Sequence, residues 1–467
     1  MANLLLQRQQ MKTIYKSFAL LSVSLWGFAC SYTDLEPTDK VGDQEIFSSA
    51  AALEQTVTGV YSKMSLRRTI QISSVLSDDV YKGGQNGGAG DDTYQWTYTA
   101  STGDHNDLWA KEYEVINMVN RILKNAGGVP AGSDSEKASK NNSIGTALFI
   151  RAYTYMNLLR FFADPDQGEA YGIPYTLAPV ILETPGRNTV GECFDLMQKD
   201  LEEAMPLLAQ ARAEDPAYVS QTAIKALLAR ICLYKRDYPQ AYEYAAAALA
   251  DKPLAGLDEY AAIWSDESNA DVILELKKLS GEETIGTIYF SADNSSAFEP
   301  SAELIACYPE GDVRLPIFIG DGVDREGVAV KRVNKYKGTP ENVGLADQKL
   351  LRSSEMVLIM AEAKAESNDL TAANELVNRL RSARIRGWEP KNYASKDELI
   401  REILLERRRE LCYEGHRFFD LRRHRLPIVK PMINKTLEVG NYRWIQPVPL
   451  GEMQGNPVIA KQQNPGY

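Results

Sequence analysis

At 467 residues, with 44% apolar and 25% charged residues, the chain has the proportions of a folded soluble protein. Low-complexity disorder, collagen and a bundle of membrane helices are excluded. Its 63 acids against 52 Lys and Arg give a net charge of −11, which argues against a nucleic-acid partner, since a phosphate backbone needs a basic face. The length allows two to four ordinary domains or one large repeat-type domain.

Lys12 and Lys16 precede an apolar run at residues 18–28 that is too short to stay in a bilayer as a spanning helix. Residues 1–29 are therefore expected to be a secretory signal peptide, with Met1 and Met11 as alternative starts. Cys30 at the expected cut is the lipidation candidate, and Asp34 and Glu36 follow in a polar tether. Gly27 stands where a lipobox usually has Leu, and simple cleavage, with Cys30 an incidental thiol, is the alternative. Acyl burial contributes about 0.8 kcal/mol per CH₂, so firm anchoring needs more than one chain. Residues 30–467 are expected to form one large domain with 49 Lys and Arg against 63 acids, a net charge of −14 that disfavours polyanionic ligands.

Apolar residues at helical spacing predict helices over 50–64 (Leu53, Val57, Val60), 107–126, 144–162 and 193–211. Gly127, Gly128 and Pro130 stop the second of these. Residues 222–255 then read as a tetratricopeptide-like helix pair. Counting from Thr222, Leu228, Ala229, Cys232, Ala241, Ala245, Ala248 and Pro253 take the positions that repeat requires, although Lys225 stands where Trp is usual. The small residues let two helices approach closely. A second copy runs over 354–384 with Met360, Ala361, Ala373, Val377 and Leu380, and Asn368-Asp369 makes its turn. Helices 144–162 and 193–211 read as a third pair, so 144–255 and 354–384 form the scaffold. The fold class is mainly α: tetratricopeptide-like pairs, a loop-rich face including 78–109 and 257–344, and short strands near 272–276, 287–291 and 331–337. An all-α bundle without repeats is the alternative.

Little here suggests chemistry. Cys193, Cys232, Cys307 and Cys412 lack metal-type spacing and read as single thiols. Three His, no HExxH, GxSxG, GxGxxG or GxxxxGK[ST], and an arginine-crowded setting for His416 and His424 leave no expected catalytic residue, metal or cofactor. Residues 164–168 (Asp-Pro-Asp-Gln-Gly) read as a turn rather than a calcium loop. The glycine-rich run 83–90 faces Asp91 and Asp92, which would repel an anion.

The stretch Glu406-Arg407-Arg408-Arg409-Glu410-Leu411, followed by Glu414-Gly415-His416-Arg417-Phe418-Phe419-Asp420-Leu421, resembles the signature of the SusD/RagB family. The ending Asn464-Pro465-Gly466-Tyr467 and the segment Leu159-Arg160-Phe161-Phe162 resemble it too. The resemblance spans essentially the mature chain. It implies a helical, tetratricopeptide-like protein, lipid-anchored on the cell outer membrane and exposed at the surface. It further implies a binding protein, not an enzyme, that captures an oligosaccharide or polysaccharide for a SusC-like TonB-dependent transporter. Peptide capture, as in some relatives, and a glycoside hydrolase are the alternatives. The signature block itself reads as architecture, its alternating charges tying helices together.

A glycan site needs aromatic planes for stacking and side chains that pair with hydroxyls. Residues 78–109 supply Asp78, Asp79, Tyr81, Gln85, Asn86, Tyr94, Trp96 and Tyr98. In an extended segment, Tyr94, Trp96 and Tyr98 would share one side. Comparison with starch-binding relatives favours Trp96, with packing beneath the loop as its alternative. Trp264, Tyr289, Asn294, Phe298 and Arg314 are further candidates, although Asp312 and Arg314 also read as a structural ion pair. Trp388 and Trp444 read as packing residues.

Overall fold

The computed structural model describes residues 43–208, 214–291, 293 and 295–467. The signal peptide, Cys30, Asn294 and the expected end of a helix at 211 lie outside the described residues. Helices of seven residues or more are α1 (Ala50–Lys63), α2 (Arg67–Leu76), α3 (Gly103–Ala126), α4 (Asp134–Phe162) and α5 (Val190–Ala204). They continue as α6 (Gln221–Lys235), α7 (Tyr238–Asp251), α8 (Ser353–Glu366), α9 (Leu370–Ser382), α10 (Lys396–Leu411) and α11 (Arg417–Arg423).

The starts are set by local chemistry. Ser133 and Glu136 form a capping box that begins α4 ten residues before its apolar run, and Thr189 with Glu192 does the same for α5. From Ala147 to Phe162 every residue of α4 is buried, so this helix is the central post of the core.

The two expected repeats close by one device. Arg236 (φ 60°) and Asn368 (φ 60°) each take the left-handed conformation. The next residue, Asp237 or Asp369, then caps the following helix through Gln240 N–H or Ala372 N–H. Ala241, Ala245 and Ala248 are fully buried, and α7 lies against both α6 and α8. A second, smaller apolar cluster of Ala361, Ala365, Ala373, Val377, Leu399 and Ile403 joins α8, α9 and α10.

Eight short strands form four antiparallel pairs. They are β1 (Val80–Lys82), β2 (Val272–Leu276), β3 (Phe298–Pro300), β4 (Ile319–Val323), β5 (Ala329–Val333), β6 (Gln348–Arg352), β7 (Ile428–Lys430) and β8 (Lys435–Leu437). Among the described residues these are all the strands, and the pairs are β1–β3, β2–β6, β4–β5 and β7–β8. The strand expected at 272–276 is present. The one expected at 287–291 is instead a 3₁₀ turn, Gly286–Ile288. The one expected at 331–337 ends at Val333, because the chain turns after Asn334, where Lys337 N–H donates to Asn334 O at 3.0 Å.

The signature block is buried ionic architecture. Glu410 meets Arg314 (3.1 Å), Arg352 (3.0 Å) and Arg384 (3.1 Å), and Asp271 meets Arg352 (2.9 Å) and Arg384 (3.1 Å), with every partner at most 1% exposed. Glu406 joins Arg314 (2.7 Å) and Arg381 (2.8 Å) to the same network. On the same helix, Arg407 holds Asp420 (2.8 Å), and Arg423 bridges Asp420 (2.9 Å) and Glu362 (2.5 Å), which pins α11 onto α8. Removing one member of such a group is costly because its partners stay charged and dry.

Candidate functional site

The residues expected to form an open strip are mostly inside. Arg417 forks onto Asp78 with two 2.8 Å bonds, and Arg408 reaches Asp79 at 3.0 Å. Burial opposes the ionisation of Asp78, but Arg417 and Arg408 overcome it and hold the carboxyl well below the usual range. Burial raises Asp79 instead.

The platform reading of Tyr94, Trp96 and Tyr98 is corrected by their burial, at 1%, 7% and 0% exposed. The backbone is not extended there. Gly90 at φ 64° leads into a single helical turn, Asp91–Tyr94, and Trp96 itself adopts φ 55°, so the alternation of sides is lost. Tyr94 and Trp96 flank the Lys430 ammonium at 4.2 and 4.4 Å from their ring centroids. Lys430 donates to Val75 O (2.6 Å) and Tyr94 O (2.8 Å), and Trp96 Nε1 donates to Leu76 O (3.0 Å). Tyr98 stacks on His105 at 4.6 Å and donates to Arg443 O. Rings of this size hold more stability inside than out.

Tyr289 and Arg314 are corrected in the same way. Tyr289 is buried with its hydroxyl 3.2 Å from that of Ser74, and Arg314 belongs to the ionic network through Asp312 (2.7 Å), as the ion-pair reading required. Trp264 and Phe298 are buried too, whereas Tyr81 is half-buried with its hydroxyl donated to Glu303. Trp96→Ala is therefore expected to cost about 3 kcal/mol of stability in urea unfolding, while the folded fraction keeps its ligand affinity.

A polar seam remains above this buried wedge. A Cβ at Gly83 would lie 2.1 Å from Ser296 O, so only glycine lets the loop 83–90 approach residues 295–297. Gly83 N–H (3.0 Å) and Asn86 Nδ2 (2.9 Å) both donate to Ala297 O. Three buried polar atoms at this seam have no partner among the described residues: Gln85 Nε2, Asn86 Oδ1 and Ser296 Oγ. They are a donor, an acceptor and a hydroxyl, the combination that meets adjacent sugar hydroxyls. Each costs about 1–3 kcal/mol while unmet. Exposed Arg325, on the β4–β5 hairpin, closes the rim: its N–H reaches Gln85 Oε1 at 3.4 Å and its guanidinium lies 3.8 Å from Asp293. Gln85 and Asn86 were legible in the sequence. Ser296 and Arg325 were not, because only tertiary pairing brings them there.

Among the described residues, one carboxylate group has metal-like spacing, Asp266, Glu275 and Asp347. Lys277 and Lys349 already pair with all three carboxylates, with Lys277 at 2.6 Å from Glu275 and 2.8 Å from Asp347, and Lys349 paired with Asp266.

Two family descriptions match the chain. "Starch-binding associating with outer membrane" matches residues 31–233, and "SusD family" matches residues 322–437. The chain belongs to the SusD family. Its first matched segment contains the loop of Gln85 and Asn86, and its second contains the ionic block of α10 and α11. SusD-like protein P2 of Formosa agariphila is 24% identical and aligns over 98% of this chain and 100% of that protein. SusD-like protein P38 of the same organism is 37% identical over 131 residues, 26% of this chain and 25% of that protein. Among solved structures, a SusD superfamily protein from Bacteroides thetaiotaomicron superposes with a TM-score of 0.79 at 23% identity over 89% of this chain and 100% of that one. A putative sugar binding protein from Bacteroides vulgatus superposes with a TM-score of 0.75 at 27% identity, over 90% and 99% of the two chains. The helical, loop-faced architecture is thus that of the SusD superfamily.

Proposed function

We propose that this SusD-family chain is a saccharide-binding protein of the outer-membrane surface, anchored through Cys30, that passes oligosaccharides to a SusC-like TonB-dependent transporter without cleaving them. The observation that carries the proposal is the match of residues 31–233 to a family described as starch-binding and outer-membrane associating, because that segment contains Gln85 and Asn86. The vacant hydrogen-bonding capacity of Gln85, Asn86 and Ser296 supports saccharide binding over peptide binding. An extended peptide is gripped through its backbone at a sheet edge or in side-chain pockets, whereas this seam offers isolated side-chain donors and acceptors suited to hydroxyls. Lipid anchoring is also consistent with the helices: among the described residues none is long and apolar enough to cross a membrane.

Calorimetric titration with maltoheptaose, cellohexaose, xylohexaose and laminarihexaose tests the reading. At least one is expected to bind, and Gln85→Ala is expected to weaken it roughly three- to tenfold, the worth of one or two neutral hydrogen bonds. Reducing-end assays are expected to show no cleavage. Failure of every glycan to bind, or indifference of the bound one to Gln85→Ala, would remove the proposal.

A further inference from the structure

A cleft of about 330 Å³ opens between the turn at 164–167, the end of α11 and the segment 439–445. Its lining includes Asp164, Gln167, Arg422, Arg425, Asn441 and Tyr442, none of which borders the seam. Two guanidiniums there have unused donors. Arg422 is only 9% exposed; its Nη1 donates to Trp444 O (3.1 Å) and Ala163 O (3.3 Å), but Nη2 has no partner among the described residues. Arg425 is exposed, held at φ 50° by the turn after α11, and its side chain makes no hydrogen bond or ion pair among the described residues.

The charges of the lining do not cancel. Asp166 is neutralised by Arg236 through bonds of 2.6 and 3.1 Å. Asp164 then stands alone against Arg422 and Arg425, a surplus of one positive charge on a chain whose net charge is −11. A buried guanidinium short of acceptors favours an anion, and paired oxygens of a carboxylate or a tetrahedral oxyanion fit its fork.

The rest of the lining is suited to a sugar ring. Asp164 accepts from Gln167 Nε2 (2.8 Å) and Asp166 N–H (3.2 Å), which fixes the carboxylate while leaving capacity for a hydroxyl. Asn441 uses its Oδ1 on Arg443 N–H (2.9 Å), and its amide NH₂ makes no hydrogen bond among the described residues. Tyr442, 40% exposed, is held edge-on to Tyr467 at 5.0 Å, and a Cβ at Gly466 (φ 93°) would lie 2.4 Å from the ring. The ring is therefore fixed in place and still partly open.

We infer that this cleft is a separate binding site for an acidic sugar unit: one carboxylate or sulfate on Arg422 and Arg425, ring hydroxyls on Asp164 and Asn441, and the ring face on Tyr442. The inference rests on the saccharide-binding reading and adds a charge preference to it. The overall acidity of the chain, which taken alone disfavours anionic ligands, is overridden locally.

The test is calorimetric titration of the purified protein with digalacturonate, galactose 6-sulfate and neutral cellobiose, at low and high salt. Binding of digalacturonate or galactose 6-sulfate is expected, with weakening at high salt, and the stronger of the two identifies the anion. Arg425→Gln, at an exposed position with no partners to disrupt, is expected to weaken that binding at least tenfold. Tyr442→Ala is expected to weaken it as well, and Gln85→Ala to leave it unchanged. The inference fails if cellobiose binds as well as the acidic sugars with the same dependence on Arg425. It also fails if the acidic sugars respond to Gln85→Ala and not to Arg425→Gln, or if only neutral glycans bind; these results leave the first proposal standing. If no saccharide of either kind binds, both fall.

Discussion

Replacing Glu410 by Ala is expected to lower stability by about 3–5 kcal/mol or more, a large share of the 5–15 kcal/mol available to a typical domain. Glu410 is fully buried and faces Arg314, Arg352 and Arg384 within 3.1 Å. Its loss leaves Asp271, Asp312, Glu406 and Glu414 to satisfy all three guanidiniums. The three guanidiniums are themselves buried, so the cost is that of stranded cations. Urea unfolding followed by circular dichroism measures it. Glu410→Gln, which keeps the shape and some hydrogen bonds, is expected to fall between wild type and Glu410→Ala. A loss under 1 kcal/mol for the alanine variant would show that the network is dispensable.

Acidification is expected to change stability little between pH 6 and 4.5 and to collapse it below about pH 4. Burial lowers His105 to about 3, and burial with Arg230 and Arg407 nearby lowers His416 well below its ordinary value. A histidine depressed in the folded state favours folding above its unfolded pKa, near 6.5, and that contribution drains away as pH falls towards the folded value, at about 1.4 kcal/mol per pH unit. Two carboxyls act in the opposite direction. Burial raises Asp271 to about 6 and Glu112 to about 8, so the folded state keeps protons that the unfolded chain releases, and this offsets the histidines above pH 4.5. Below that, the offset ends and the depressed carboxylates join in. Glu406, at about 2, is buried but held ionised by Arg314 and Arg381, and neighbouring arginines likewise lower Glu362, Glu410, Glu414 and Asp420. Their contribution is complete above the unfolded value, near 4.3, and is lost as pH falls through the folded one. Urea midpoints at pH 7, 6, 4.5 and 3.5 measure this. A steady decline from pH 6.5, or full stability at pH 3, would contradict the balance described here.

The scaffold was legible in the sequence because its signals are local. Ala241, Ala245 and Ala248 announce a close helix contact, and Asp369 announces a cap, wherever the rest of the chain goes. The charged run from Glu406 to Arg423 was legible as architecture, though not its partners: Asp271 and Arg352 arrive from more than fifty residues away. The aromatic strip misled because alternation implies a shared face only in extended backbone. Gly90 and the helical turn after it broke that assumption. Nothing local to Tyr94 announces an ammonium group 336 residues on, Lys430, that would draw the rings inward. The seam was half legible for the same reason, with Gln85 and Asn86 on the glycine-rich loop but Ser296 and Arg325 supplied by distant loops.

The paired turns at Arg236-Asp237 and Asn368-Asp369 bear on how the chain assembles. Each hairpin carries its own instruction for reversing direction and starting the next helix within two residues. Contacts between near neighbours in sequence form quickly, so the two hairpins can zip up independently and early. The distant charges then act as a latch, closing once the preformed pieces have met.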